Sequence, residues 1–196
     1  NSPFTSLINK MKSEGDIQHT NTLELVDERL AQRLPEVSVG DALISCLYTN
    51  TIAVISMKTE QVVWARRGAW KWQHQPTVLE NGNILLLDNK GGSPQLGRSR
   101  MLEIEPETGK FSWSYTGAED NKFQTNTCGA GQRLPNGNTL ITESDNGRSL
   151  EVTHEGQTVW EFLNPYRSGD DGQLVATLFE VVRLPVDFPT DWLGDD

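Results

Sequence analysis

The stretch Leu79-Glu-Asn-Gly-Asn-Ile-Leu-Leu-Leu-Asp-Asn89 returns as Leu134-Pro-Asn-Gly-Asn-Thr-Leu-Ile-Thr-Glu-Ser144, and a fainter copy, Val39-Gly-Asp-Ala-Leu-Ile-Ser-Cys46, precedes both. After each copy come a short strand-forming run, a turn and a tryptophan: Ile52–Ile55 then Trp64, Met101–Ile104 then Trp113, Ser149–Val152 then Trp160. Before them stand His19-Thr-Asn-Thr22, His74-Gln-Pro-Thr77 and Gln124-Thr-Asn-Thr127. Each unit reads as four short antiparallel strands joined by Asn-Gly, Gly-Asp, Thr-Gly or Glu-Gly turns. Four-stranded units repeating every ~40–50 residues mark the blades of an all-β propeller.

Working outward, the repeats occupy about 17–68, 72–117 and 122–165, within one propeller domain over 1–196, with further C-terminal strands expected over 174–184. Leu23–Leu34 reads as a short helix or a distorted first strand. The tryptophans, on the fourth strand of each unit, are expected to pack between blades. Three to four blades fall short of a usual closed ring. The expectation is a partial ring completed by a missing N-terminal half or by a second chain, since bare blade faces are rarely left to water.

The chain has 196 residues and a formal net charge of −10, a balance that argues against nucleic acid and anionic membranes as partners. No apolar run is long enough to cross a bilayer, and the opening residues lack the basic end and apolar stretch of a signal peptide. Cys46 and Cys128 are too few for a zinc site, and neither a metal nor a cofactor is expected; whether they pair is open.

Strand order places the start of strand one, the end of strand two and the start of strand three at the same end of a blade. His19, Asn21, His74, Gln124 and Asn126 are therefore expected to ring one mouth of the channel, with Asp88, Asn89, Glu143, Arg100 and Arg148 just outside. Imidazole serves there as nucleophile, base or anion holder. Arg100 and Arg148 either grip an oxyanion or make blade-to-blade pairs with Glu103 and Glu151. His154 lies in a surface turn.

The run Trp72-Gln-His-Gln-Pro-Thr-Val-Leu-Glu-Asn-Gly-Asn-Ile-Leu-Leu-Leu-Asp-Asn89 with Ser99–Lys110, and Gln132–Ile141 with Glu151–Glu161, resembles the arylsulfotransferase family of exported bacterial propellers over about 16–184. The resemblance implies a six-bladed ring, periplasmic or extracellular, that moves a sulfuryl group from an aryl sulfate to a phenol through a transient sulfohistidine, without a nucleotide donor. It implies His74 as nucleophile and His19 and Asn21, in the family's His-x-Asn, as sulfate holders. Arg100, Arg148, Gln124 and Asn126 complete the expected substrate-binding set. Two positions depart from the family pattern: Leu47 stands where the family has an essential Arg, and Gln75 where many members have Asp. Two other readings stay open: a non-catalytic propeller that binds a small ligand or protein at its rim, and a quinoprotein-like scaffold, because Glu105–Trp113 resembles the repeat of PQQ enzymes.

Overall fold

The computed structural model describes Asp16 and residues 18–192. Three antiparallel four-stranded meanders follow one another: β1 (Thr20–Leu25), β2 (Ala42–Cys46), β3 (Thr51–Ile55) and β4 (Val62–Arg67); β5 (His74–Val78), β6 (Ile84–Asp88), β7 (Arg100–Ile104) and β8 (Phe111–Tyr115); β9 (Ala130–Arg133), β10 (Thr139–Glu143), β11 (Arg148–Val152) and β12 (Thr158–Leu163). These are propeller blades, and among the described residues all regular structure is strand apart from the helix α1 (Glu28–Arg33) and a 3-10 turn at Ser144–Asn146. The ambiguous Leu23–Leu34 segment is both things expected of it: the end of β1, then α1, capped by the Asp27 carboxylate on the amides of Arg29 and Leu30.

The Asn-Gly turns set the register. In both, the first Asn side chain accepts from the amide two residues on, Asn81 from Asn83 and Asn136 from Asn138, each at 3.0 Å. The intervening Gly82 takes φ +76°, which favours glycine. The antiparallel ladder then fixes every facing pair from Ile84↔Ile104 to Asp88↔Arg100. The second strands β2, β6 and β10 are buried along their whole length, and β6, in the middle blade, is covered on both faces by the neighbouring blades. This explains why Ile84-Leu-Leu-Leu87 is an unbroken apolar run with no polar alternation.

Two seams hold the blades together. Leu43, Ile52, Val54 and Trp64 meet Ile84, Leu86, Leu102 and Ile104 in the first, closed at one end by Leu30 and Leu34 of α1 and its C-cap. Leu85, Leu87, Met101, Trp113 and Tyr115 meet Ile141, Leu150 and Val152 in the second. Trp64 and Trp113 therefore sit between blades as expected. Trp160 does not: it is 41% exposed beside exposed Val159, Phe162 and Leu163, because no complete blade follows β12.

The expected strands over 174–184 shrink to the two-residue β14 (Leu174–Val175), paired with β13 (Arg167–Ser168). The following segment lies alongside the third blade and bonds to its side chains: the Val181 amide donates to Thr142 Oγ1 at 2.9 Å and the Arg183 amide to Gln132 Oε1 at 2.8 Å. This is how the innermost strands are joined throughout. The Gln75 amide donates to Thr22 Oγ1, Val78 to Glu24 Oε1 and Gly131 to Gln75 Oε1. An innermost strand has a free edge whose amides need acceptors, and side chains of the preceding blade supply them. A rung of ions repeats in step: Arg133 reaches back to Glu103 at 2.8 Å over the Trp113 ring, and Arg183 to Glu151 at 3.1 Å over Trp160. Residues 176–184 thus take the innermost position of a fourth blade.

Candidate functional site

His74 opens β5, at the end of the blade where β6 finishes, and its ring is held by two acceptors. Nδ1 lies 2.7 Å from Asn89 Oδ1 and 3.1 Å from the Trp72 carbonyl. The Asn89 amide cannot be turned around, because its Nδ2 donates to the carbonyls of Thr125 and Cys128 at 2.9 and 2.8 Å. With two oxygens facing it, Nδ1 must carry the proton, and Nε2 keeps its lone pair. Nε2 makes no hydrogen bond among the described residues. Burial lowers the His74 pKa below the ordinary value; the bonds to Asn89 and Trp72 oppose this, and the nearby charge of His19 adds to it. His74 is therefore a neutral imidazole of fixed tautomer at neutral pH.

The ring lines a cavity of about 270 Å³ shared with Asn21, Thr22, Gln75, Cys128 and Glu180. Asn21 donates one amide hydrogen to the Gln73 carbonyl at 2.9 Å and retains the other. Left-handed backbone recurs at the entrance to the innermost strands, at His19 (φ +49°), Trp72 (+60°), Gln75 (+46°) and Cys128 (+53°), a concentration of strained geometry around one site. Gly129 completes the wall with φ +113°, and a Cβ there would come within 2.2 Å of Leu87 Cδ2.

His19 precedes β1 and is not register-equivalent to His74, whose place opposite β6 is taken in the first blade by Thr22 opposite Ser45. It stands at the same end nevertheless, its carbonyl accepting from Leu47 and its Nδ1 lying 3.0 Å from Asp16 Oδ2. The backbone amide of His19 holds the Asp16 carboxyl below the usual range. From His19 an aromatic row runs outward, with Tyr48 at 5.2 Å, Trp72 at 6.3 Å from Tyr48, and Lys90 Nζ 3.4 Å above the Trp72 ring.

The remaining candidates are not brought to this cavity. Arg100 donates to Asp88 at 2.6 Å and Arg148 to Glu143 at 3.0 Å, each to the residue facing it across its own blade rather than to Glu103 or Glu151. Those two glutamates serve the inner-strand arginines instead. Gln124 and Asn126 belong to the loop ahead of β9. The Gln124 amide donates to Glu143 and the Asn126 amide to Asp145, so their bonds close that loop. Ala130, opposite Thr142, takes the place in the third blade that His74 has in the second. Leu47 is buried directly after β2 and adds no charge. Cys46 and Cys128 are both free thiols. The groups that the sequence left unassigned are Asn89 as the direct partner of His74, and Gln75, Cys128 and Glu180 on the cavity wall.

The sequence profile of the arylsulfotransferase (ASST) family matches residues 2–165. The chain belongs to this family. No curated protein matches the chain significantly. Among solved structures, the WD40 β-propeller domain of Doa1 resembles it with a TM-score of 0.50 at 14% identity, over 74% of this chain and 41% of that one. Virginiamycin B lyase from Staphylococcus aureus gives 0.48 at 15%, over 78% of this chain and 44% of the lyase, and a protein of unknown function from Bacteroides caccae 0.43 at 18%, over 63% and 42%. The Doa1 likeness bears on the fold alone. The chain spans less than half the length of each of these structures.

Proposed function

We propose that this chain carries the nucleophile of a sulfuryl transfer between phenols, with His74 as the attacking group. The observation that supports it is the imidazole whose Nδ1 proton is locked between Asn89 and Trp72 while Nε2 is unpartnered in a cavity. In the first half-reaction the Nε2 lone pair attacks sulfur, the S–O bond to the aryl group breaks, and the phenolate leaves with that electron pair. The ring gains positive charge as the N–S bond forms, and the two oxygens on Nδ1 stabilise it. In the second half-reaction an acceptor phenol oxygen attacks sulfur, the N–S bond breaks, and the phenolic proton passes to a base. The second amide hydrogen of Asn21 and the His19 ring are suited to the sulfate oxygens, and the exposed faces of Tyr48 and Trp72 to an aryl ring.

The full-length protein should release 4-nitrophenolate from 4-nitrophenyl sulfate when phenol is added, and His74→Ala should abolish the release. A second reading, a non-catalytic rim that binds a small ligand or protein, is favoured by one observation: no Arg or Lys lines the cavity, and Glu180 does. Absence of turnover in wild type and variant alike, over a panel of donors and acceptors, supports that reading. Closure of the ring by an N-terminal half or a second chain belongs to the proposal, tested by the mass of the assembled particle. So does a periplasmic or extracellular location, which rests on the family likeness and is tested by cell fractionation.

A further inference from the structure

The second half of the transfer needs a base that His74 cannot be. Once sulfuryl is on Nε2 and a proton is on Nδ1, the ring has no lone pair to accept the phenolic proton. Among the described residues, Glu180 is the one carboxylate that lines the His74 cavity. One of its oxygens accepts from Gln75 Nε2, next in sequence to His74; the other makes no hydrogen bond among the described residues. Gln75 is itself fixed, since its Oε1 accepts from the Gly131 amide at 3.0 Å. The backbone that carries Glu180 is pinned on its C-terminal side, where Val181 donates to Thr142 and Arg183 bonds Gln132 and Glu151. A carboxylate with one oxygen anchored and one open, in the cavity that holds the nucleophile, has the arrangement of a general base. His19 is the other candidate, but it lies outside the cavity lining, with Nδ1 engaged by Asp16.

We propose that Glu180 is the catalytic base for the acceptor, a role that rests on the transfer proposed above. The phenolic O–H proton moves to the open carboxylate oxygen as the phenol oxygen bonds to sulfur and the N–S pair returns to Nε2; Glu180 then gives the proton to water. The same negative charge repels an incoming sulfate ester, so donor affinity is sacrificed for acceptor activation.

The test uses the full-length protein, 4-methylumbelliferyl sulfate as donor, and acceptors graded from unsubstituted phenol to a fluorinated phenol already ionised at neutral pH. Glu180→Gln should lower kcat with phenol about 100-fold or more, leave the ionised acceptor within a few-fold, and lower the donor KM. Glu180→Asp should recover part of the phenol rate. A loss uniform across the series, no loss, or the acceptor-dependent loss appearing in His19→Ala instead overturns the role of Glu180. Absence of turnover in the wild type overturns the transfer itself, and this role with it.

Discussion

Replacing Asn89 by Leu, which is similar in size, removes three hydrogen bonds without opening a large void. Asn89 is fully buried and joins His74 to the loop ahead of β9 through the carbonyls of Thr125 and Cys128. Thr125 O retains the Ser99 hydroxyl, but Cys128 O loses the Asn89 donor. The bonds to His74 and Thr125 O, whose partners keep another contact, at about 1 kcal/mol each, and the bond to Cys128 O, which is left stranded, at about 1 kcal/mol, give a destabilisation of about 3 kcal/mol. For a domain of this size that is a fall in melting temperature of about 6–12 °C. The Trp72 carbonyl still faces Nδ1, so the tautomer survives while the ring loosens, and any transfer rate should fall by about 10–100-fold, the range seen when a hydrogen-bond partner that orients a metal-bound histidine is removed. Thermal denaturation reads the first effect. Nitrogen-15 NMR of the imidazoles reads the second: wild-type His74 should give a neutral, Nδ1-protonated pattern. A melting temperature within about 2 °C of wild type, or an Nε2-protonated His74 in the wild type, would refute this account.

The low pKa of His74 moves the acid limb of any pH–rate profile below the ordinary histidine value of about 6.5; a limb at or above that value would count against the burial argument. The same shift makes stability fall as pH drops from about 6.5 towards the folded pKa, since only the unfolded ring takes up the proton in that interval. Burial pushes Glu103 up, but the amides of Asn83 and Asn81 and the Arg133 guanidinium outweigh it and hold the carboxyl below its usual range. Its contribution is present above about pH 4.3 and lost as pH falls through the folded pKa, so Glu103→Gln should flatten the acid side of a melting-temperature profile. Trp113→Ala should cost about 3–5 kcal/mol in denaturant titration, and Trp160→Ala, on the uncovered face, well under half of that in a protein of these residues alone. Cys128, half-buried on the cavity wall, should react with a maleimide in native protein well before buried Cys46, whose thiol burial pushes up; equal rates would place Cys128 elsewhere.

The repeated Asn-Gly turns made the blades legible because a tight turn needs particular residues at fixed offsets, and those residues are the ones that bond Glu103 and Glu151. The third blade misled for a physical reason. Gln124-Thr-Asn-Thr127 has the look of His19-Thr-Asn-Thr22, but its polar groups are used on Glu143 and Asp145 to fold a loop, and the innermost strand begins later, at Ala130, with nothing polar to announce it. Counting back from the turn would have found it. Arg100 and Arg148 open the third strands of their blades, and the antiparallel register that sets them there also sets Asp88 and Glu143 opposite. Glu180 was out of reach, since its approach to His74 depends on a segment that joins the third blade through side chains rather than through a ladder.

The rungs from Arg133 to Glu103 and from Arg183 to Glu151 lean the same way, each gripping the wedge before it, whereas between the first two wedges Arg33 of the first reaches forward to Glu107 of the second. Such a rung has a direction: its cation stands at the innermost position of one wedge, and its anion on the third strand of the wedge before. Duplicating a wedge that carries both groups would therefore reproduce the clasp along with the blade, with no new contact to invent.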